Sequence, residues 1–371
     1  MEHKKVILAD VVRTPWGKPC GSMEKLLSSD LAAAAIQKLL ARAGMEPSAV
    51  DQVVFGQAHP STYPNNIGHF AWLKAGLPVE VPGYTVQSNT GSALQAVRNA
   101  YYLIASGNEG IVIAGGADSY SAAPFVMRNV RRHFDPQDRR VIDTLDEAEC
   151  CTQPRPMSRQ EQYEASHGKQ LSGQDLEFAA ESRNKAERFS GVCGDGIVPV
   201  CYTERKKGEI TVSDDEWLKG QVSADSPLAP YADGAAVALL MSEEKALELH
   251  IAPSAEILGF AVSGCSPATP SAAGLAAVQK LLRVKGRTMD DIACLEVMEN
   301  SAEDVFDIVQ ALGGKGKVNP FGGAMAYGKN DGADGIAMLQ RLTASLRAGE
   351  YGIACIYGAG GLGMAVLLQK C

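Results

Sequence analysis

Several things are scarce or missing in this 371-residue sequence, and each absence removes a class of function. No apolar run approaches the roughly 20 residues that a membrane-spanning helix needs. No pair of cysteines has CxxC or other zinc-like spacing, and nine is an odd number for a disulfide framework. The nine thiols, at positions 20, 150, 151, 193, 201, 265, 294, 355 and 371, therefore read as reduced, and the expected location is cytoplasmic. There is no excess of basic charge: 35 Lys plus Arg against 43 Asp plus Glu give −8, spread along the chain, which argues against a nucleic-acid surface. The N-terminus runs straight into a strand-like Val6-Ile7-Leu8, with no signal-peptide pattern expected. No metal site is expected.

What is present is a globular composition, 46% hydrophobic and 21% charged, long enough for two related lobes. An internal repeat supports two lobes. Residues 93–116 read ALQAVRNAYYLIASGNEGIVIAGG and residues 335–358 read GIAMLQRLTASLRAGEYGIACIYG. In the first copy Leu94, Val97, Tyr101 and Ile104 recur at helical spacing; in the second Ile336, Leu339, Leu342 and Leu346 do so. Gly107 and Gly349 suit left-handed positions at the helix ends. The short apolar runs that follow, Ile111 to Ala114 and Ile353 to Ile356, read as strands covered on both faces. Two loop–helix–strand units of equal length predict a duplicated α/β architecture. Elsewhere, Ser29-Asp30 predicts a helix start, with Gly44 ending that helix after Ala43. Val53-Val54-Phe55 predicts a strand, and Leu176 to Phe189 an exposed amphipathic helix. The polar stretch 119–224 predicts an insertion. The expected division is 1–118 with 225–252, then 119–224, then 253–371.

Five blocks resemble the thiolase superfamily. Thr85-Val86-Gln87-Ser88-Asn89-Thr90-Gly91-Ser92-Ala93-Leu94-Gln95-Ala96 resembles the family's nucleophile turn, roughly TVNRxCASGLQA. Met157 through Phe189, followed by Gly196-Ile197-Val198-Pro199-Val200, resembles its loop-domain segment. Asp233-Gly234-Ala235-Ala236 resembles its DGAA block, and Asn319 through Gly328 its NxxGGxIAxG; Gly358 to Ala365 resembles the glycine-rich final strand. The resemblance implies a thiolase fold: duplicated βαβαβαββ halves in a five-layered α-β-α-β-α core, with an inserted loop domain. It also implies acyl-CoA or an acyl carrier as substrate, acyl transfer as nominal activity, no tightly bound cofactor, and a homodimer or tetramer built across the strand at Thr85-Val86.

The same resemblance places the family's nucleophilic cysteine on Thr90, its GHP histidine on Lys329, its NEAF asparagine on Met298 and its second cysteine on Tyr357. All four are substituted, so ordinary thiolysis and Claisen condensation are not expected. A Thr90–Lys329 acyl-transfer pair is chemically conceivable if Lys329 serves as base. The alternative has Thr90 capping the helix from Gly91 and Lys329 binding a carboxylate or phosphate. Tyr357 reads as a phenolic acid or as a filler, and Cys355 as a small buried hydrophobe. Asp331 and Asp334 read as helix-capping carboxylates, with an ion pair to Lys329 as the alternative. His69 reads as a packing or interface residue and His167 as part of a solvated face. For coenzyme A the positions implied are Ala229, where the family has serine, together with Gly328 and Gly358. The stretch from Asp215 to Ser223 is shorter than the family usually shows. The competing function is a catalytically silent acyl- or CoA-binding protein, or a partner subunit of an active thiolase.

Overall fold

The computed structural model describes residues 4–371 apart from 61–62, 128–129, 131–140, 146–159, 162, 165–172, 190–191, 193–195, 220–226 and 315–316. His167, Cys150, Cys151, Cys193 and the Met157 end of the loop-domain block lie outside the described residues, as does part of the Asp215–Ser223 stretch.

The first half contains β1 (Val6–Arg13), α1 (Ser28–Ala43), β2 (Gln52–Gly56), α2 (Ile67–Lys74), β3 (Gly83–Val86), α3 (Ser92–Ala105) and β4 (Ile111–Asp118). Two small hairpins follow, β5 (Phe125–Met127) with β6 (Val141–Asp143) and β7 (Val200–Glu204) with β8 (Gly208–Val212), with α4 (Gly173–Phe189) between them. Then come β9 (Gly234–Ser242) and the short α5 (Glu243–Glu248). The second half contains β10 (Ala255–Gly264), α6 (Ser271–Lys285), β11 (Ile292–Val297), α7 (Ala302–Ala311), β12 (Lys317–Val318), the single turn α8 (Ala324–Tyr327), α9 (Asp334–Ser345), β13 (Tyr351–Gly358) and β14 (Leu362–Lys370).

The duplication read from the repeat is visible in the sheet. The first half contributes the order β3-β2-β4-β9-β1, and the second the matching order β12-β11-β13-β14-β10. In both, the strand after the repeated helix lies between a parallel and an antiparallel neighbour: β4 between β2 and β9, β13 between β11 and β14. Antiparallel pairing of Ile7 with Glu256 and Leu8 with Ala255 joins the halves into one ten-stranded sheet. β4, β9 and all but the first residue of β13 are buried, as strands covered on both faces must be.

Helices α1 and α2 cover the outer face of the first half and α6 the outer face of the second, while α3 and α9 pack on each other between them. This is the expected α-β-α-β-α layering. The central pair meets closely, because a side-chain carbon added at Gly335 would lie 2.9 Å from the Leu94 backbone nitrogen. Glycine at that position lets the two helices approach.

Local details follow the sequence with small shifts. α1 begins at Ser28, with the Asp30 carboxylate accepting the Leu27 N–H at 3.0 Å, and Gly44 ends it at φ 60°. Gly107 has φ 78° directly after α3. In the second copy the helix stops earlier, at Ser345, and Gly349 (φ 83°) turns the chain into β13 instead. Among the described residues no helix is long and apolar enough to cross a membrane.

Gly335→Val should press into the Leu94 backbone and cost about 1–3 kcal/mol as overpacking. The measurement is the urea midpoint, and an unchanged midpoint would contradict the close crossing.

Candidate functional site

The loops at the C-terminal ends of β2, β4 and β13 and at the starts of α3 and α9 gather at one end of the sheet, where open α/β sheets place ligands. The Thr90 loop is one of them. Asn89 takes a left-handed φ of 48°, and its side-chain amide donates to the Ala359 carbonyl at 3.0 Å, tying this loop to the glycine-rich turn after β13. Ser92, not Thr90, braces the helix start: its hydroxyl donates to the Asn89 carbonyl at 2.6 Å and accepts the Ser88 N–H at 2.9 Å. The residue at the helix cap is Gly91, with no side-chain capping bond, so the capping role expected for Thr90 is not found. Thr90 is 3% exposed and its hydroxyl has no hydrogen-bond partner among the described residues.

The hydroxyl faces Gly358. A side-chain carbon at Gly358 would sit 2.0 Å from the Thr90 oxygen, so only glycine fits there. Strand alternation then decides where Tyr357 goes. Tyr357 and Cys355 point to the other face, against Gly274 of α6, where an added carbon would lie 3.0 Å from the Tyr357 ring and 3.1 Å from the Cys355 sulfur. Thr90 and Tyr357 are therefore not brought together, and Gly358 is the residue of β13 that meets Thr90. Tyr357 fills space: it is 1% exposed, and its phenol donates to the Met298 carbonyl at 2.9 Å. Met298 is buried too, its N–H donating to the Cys355 carbonyl at 2.9 Å. Burial pushes the Cys355 thiol up to about 12, so it is no thiolate source near neutral pH.

Lys329 lies in a different, strongly polar group. Its ammonium is 2.7 Å from Asp331 Oδ1, with both side chains buried. Asp331 Oδ2 takes the His59 Nε2 contact at 3.1 Å and the Tyr120 hydroxyl at 3.2 Å. The capping role is thus overruled for Asp331, and the ion pair with Lys329 is what forms. Burial opposes the charged form of Asp331. The Lys329 charge and the His59 hydrogen bond more than offset it and hold the carboxyl well below its usual range. Tyr120 stacks on Tyr231, centroids 4.2 Å apart, and His59 lies 4.9 Å from Tyr120. Asp118, at the end of β4, accepts the His59 backbone N–H at 3.1 Å. Asn330, where the family has proline, donates its amide to the carbonyls of Asp118 (3.0 Å) and Ala232 (2.8 Å) and so pins this loop to β4 and the approach to β9. Asp334 makes no helix cap; it accepts the Asn330 N–H at 2.9 Å from the first turn of α9.

The three residues suggested for coenzyme A each have a different neighbour. The Ala229 N–H donates to the Asn300 carbonyl at 2.9 Å, and Gly328 packs under the Trp217 indole, 2.5 Å from an added carbon. Gly358 meets Thr90. The His69 backbone lies close under Gly83 of β3, where an added carbon would be 2.9 Å from its nitrogen.

Comparison with known proteins agrees with this architecture. The family "Thiolase, N-terminal domain" matches residues 6–244 and "Thiolase, C-terminal domain" matches residues 251–370. The chain belongs to the thiolase family. It is 32% identical over 390 residues to an acetyl-CoA acetyltransferase of Chromobacterium violaceum, covering 99% of this chain and 100% of that protein. It is 32% identical to a probable acetyl-CoA acyltransferase of Staphylococcus aureus, covering 99% of both. Among solved structures it is similar to the Bacillus anthracis acetyl-CoA acetyltransferase, with TM-score 0.90, 28% identity and full coverage of both chains. Human mitochondrial 3-ketoacyl-CoA thiolase matches with TM-score 0.88 and 25% identity, again over both whole chains.

Within this thiolase-family chain, sequence reading missed His59, Tyr120, Tyr231 and Asp118. His59 carried a signal: it follows the end of β2 in Gln57-Ala58-His59-Pro60, the strand terminus where such sheets collect functional groups. The tyrosines carried none, because their stacking depends on segments 111 residues apart.

The buried carboxyls make stability pH-dependent. Burial raises Asp118 and Asp233 to about 6 and Glu296 to about 7, and it raises Asp334 as well, with Asp331 adding to that rise. A raised folded-state value means the stabilisation is complete below the unfolded carboxyl range and is lost as pH rises through about 6 to 7. Tm should therefore be higher at pH 5.5 than at pH 8.5, and Asp334→Asn should narrow the difference. A Tm that rises with pH across this window would contradict it.

Proposed function

We propose that this chain takes an acyl-CoA-type thioester at a thiolase-family site and does not perform ordinary thiolysis or Claisen condensation. The substrate class rests on relatives of matching length that are named for acetyl-CoA or 3-ketoacyl-CoA. By resemblance, the family's two thiols, imidazole and amide fall on Thr90, Tyr357, Lys329 and Met298. The observation that carries the reading is the buried 2.7 Å pair between Lys329 and Asp331. A hydroxyl nucleophile needs a base, and an ammonium held by a carboxylate has no lone pair to accept a proton. The phenol of Tyr357 is spent on the Met298 carbonyl and faces away from Thr90, and the Cys355 thiol lies on that same far face. The protein then serves as an acyl-CoA-binding subunit, alone or beside an active partner.

One observation favours a second reading, acyl transfer through Thr90: its hydroxyl stands at the head of α3 with no hydrogen-bond partner among the described residues. A helix N-terminus stabilises developing negative charge. A thiolysis assay with acetoacetyl-CoA and CoA separates the two. The first reading expects saturable CoA binding without turnover above the uncatalysed rate. Turnover that disappears in Thr90→Val would establish the second, and absence of CoA binding would remove both.

A further inference from the structure

The imidazole that the family's motif would have supplied is missing from position 329, yet a histidine stands at the same end of the sheet on a different element. His59 comes from the loop after β2. That loop is tied to the Thr90 turn at two points: the Gln87 amide donates to the Ala58 carbonyl (3.1 Å), and Gln57 N–H to the Val86 carbonyl (3.1 Å). From there the ring reaches the second half, placing Nε2 3.1 Å from Asp331. Its other nitrogen, Nδ1, is buried and has no hydrogen-bond partner among the described residues.

We propose that His59, held through Nε2 by Asp331, is the group that donates through Nδ1–H to the carbonyl oxygen of a bound acyl thioester. This rests on the acyl-CoA reading above and names the residue that would distinguish acyl-CoA from free CoA. Asp331 takes Nε2–H and fixes the ring, as Lys329 and Tyr120 in turn fix Asp331. A thioester carbonyl can only accept a hydrogen bond, so the neutral ring with its proton on Nε2 has nothing to offer it and the charged ring does. A buried charged ring with one N–H unanswered is also unfavourable by itself, so a carbonyl acceptor satisfies a donor that the free protein leaves unpaired.

The charges facing the ring agree. Asp331 and Lys329 face it from the loop before α9, Asp118 from the end of β4, Tyr120 from the segment after β4 and Tyr231 from the segment before β9, with Asp334 behind Asp331. Burial works against the charged ring, and Lys329 does too. The Asp331 hydrogen bond and the charges of Asp118 and Asp331 outweigh them, so His59 is raised above its ordinary value. No bond is made or broken in this step. The role is to orient and polarise a carbonyl in a site where water is largely excluded.

The test is equilibrium binding of acetyl-CoA and of free CoA to the full-length protein from pH 6 to pH 9, expressed as the ratio of the two affinities. The ratio should favour acetyl-CoA by about tenfold more at pH 6 than at pH 9, the size of one charge-assisted hydrogen bond. His59→Gln keeps a donor for Asp331 but has nothing at the Nδ1 position, and it should hold the ratio at its high-pH value throughout. His59→Asn keeps an N–H near the Nδ1 position that does not titrate, and it should show a ratio independent of pH. CoA binding with a pH-independent ratio in the wild-type protein overturns the role of His59 while leaving the acyl-CoA reading standing. A His59→Gln protein that keeps the wild-type pH dependence overturns it as well. Failure of both ligands to bind overturns the acyl-CoA reading itself. The wild-type pH series decides the question even if neither variant folds.

Discussion

Everything at the head of this molecule depends on how closely α3 and α9 approach. Gly335 sits against the Leu94 backbone, and Gly116 at the end of β4 sits against the Gly332 carbonyl, where an added carbon would lie 1.8 Å away. No side chain can stand at either contact. The consequence is that the turn before α3 from one half and the turn before α9 from the other share one small volume. Side chains more than two hundred residues apart, His59 and Asp331 or Tyr120 and Asp331, become hydrogen-bond neighbours.

That volume is water-poor, so charge brought into it must be paired. Lys329 could not be accommodated there as a lone ammonium, and Asp331 answers it from two residues away. Asp331 has a second oxygen, which takes His59 and Tyr120. Asn330 closes the arrangement by spending its amide on backbone carbonyls of the first half. Lys329 and Asn330 thus each have partners in this volume, while His59 Nδ1 and Asn330 Oδ1 are buried there without one among the described residues. The result is a polar centre of paired charges at the head of the duplicated scaffold.

The scaffold was legible because its signals are local and periodic. The 242-residue repeat, the apolar runs of β4 and β13 and the glycines after the helices each report on a few neighbouring residues, and the halves they describe have matching strand orders. The site was only partly legible. Alignment to a motif finds Thr90 and Lys329, but it cannot say which face of β13 looks at Thr90. Tyr357 matched by position, while strand alternation gives that contact to Gly358. Thr90 looked like a helix cap by residue type, yet Ser92 takes the bracing bonds because its hydroxyl reaches back to Asn89 and Ser88. His59 and the Tyr120–Tyr231 stack arise from tertiary neighbours that no window of sequence contains.

The central claim is that the Lys329 ammonium, held by Asp331, is no base for Thr90, so no acyl-enzyme forms through that pair. Intact-mass spectrometry after mixing the protein with acetyl-CoA tests this most directly. The account predicts an unchanged protein mass at every mixing time. A mass increase of one acetyl group, absent from Thr90→Val, would contradict it.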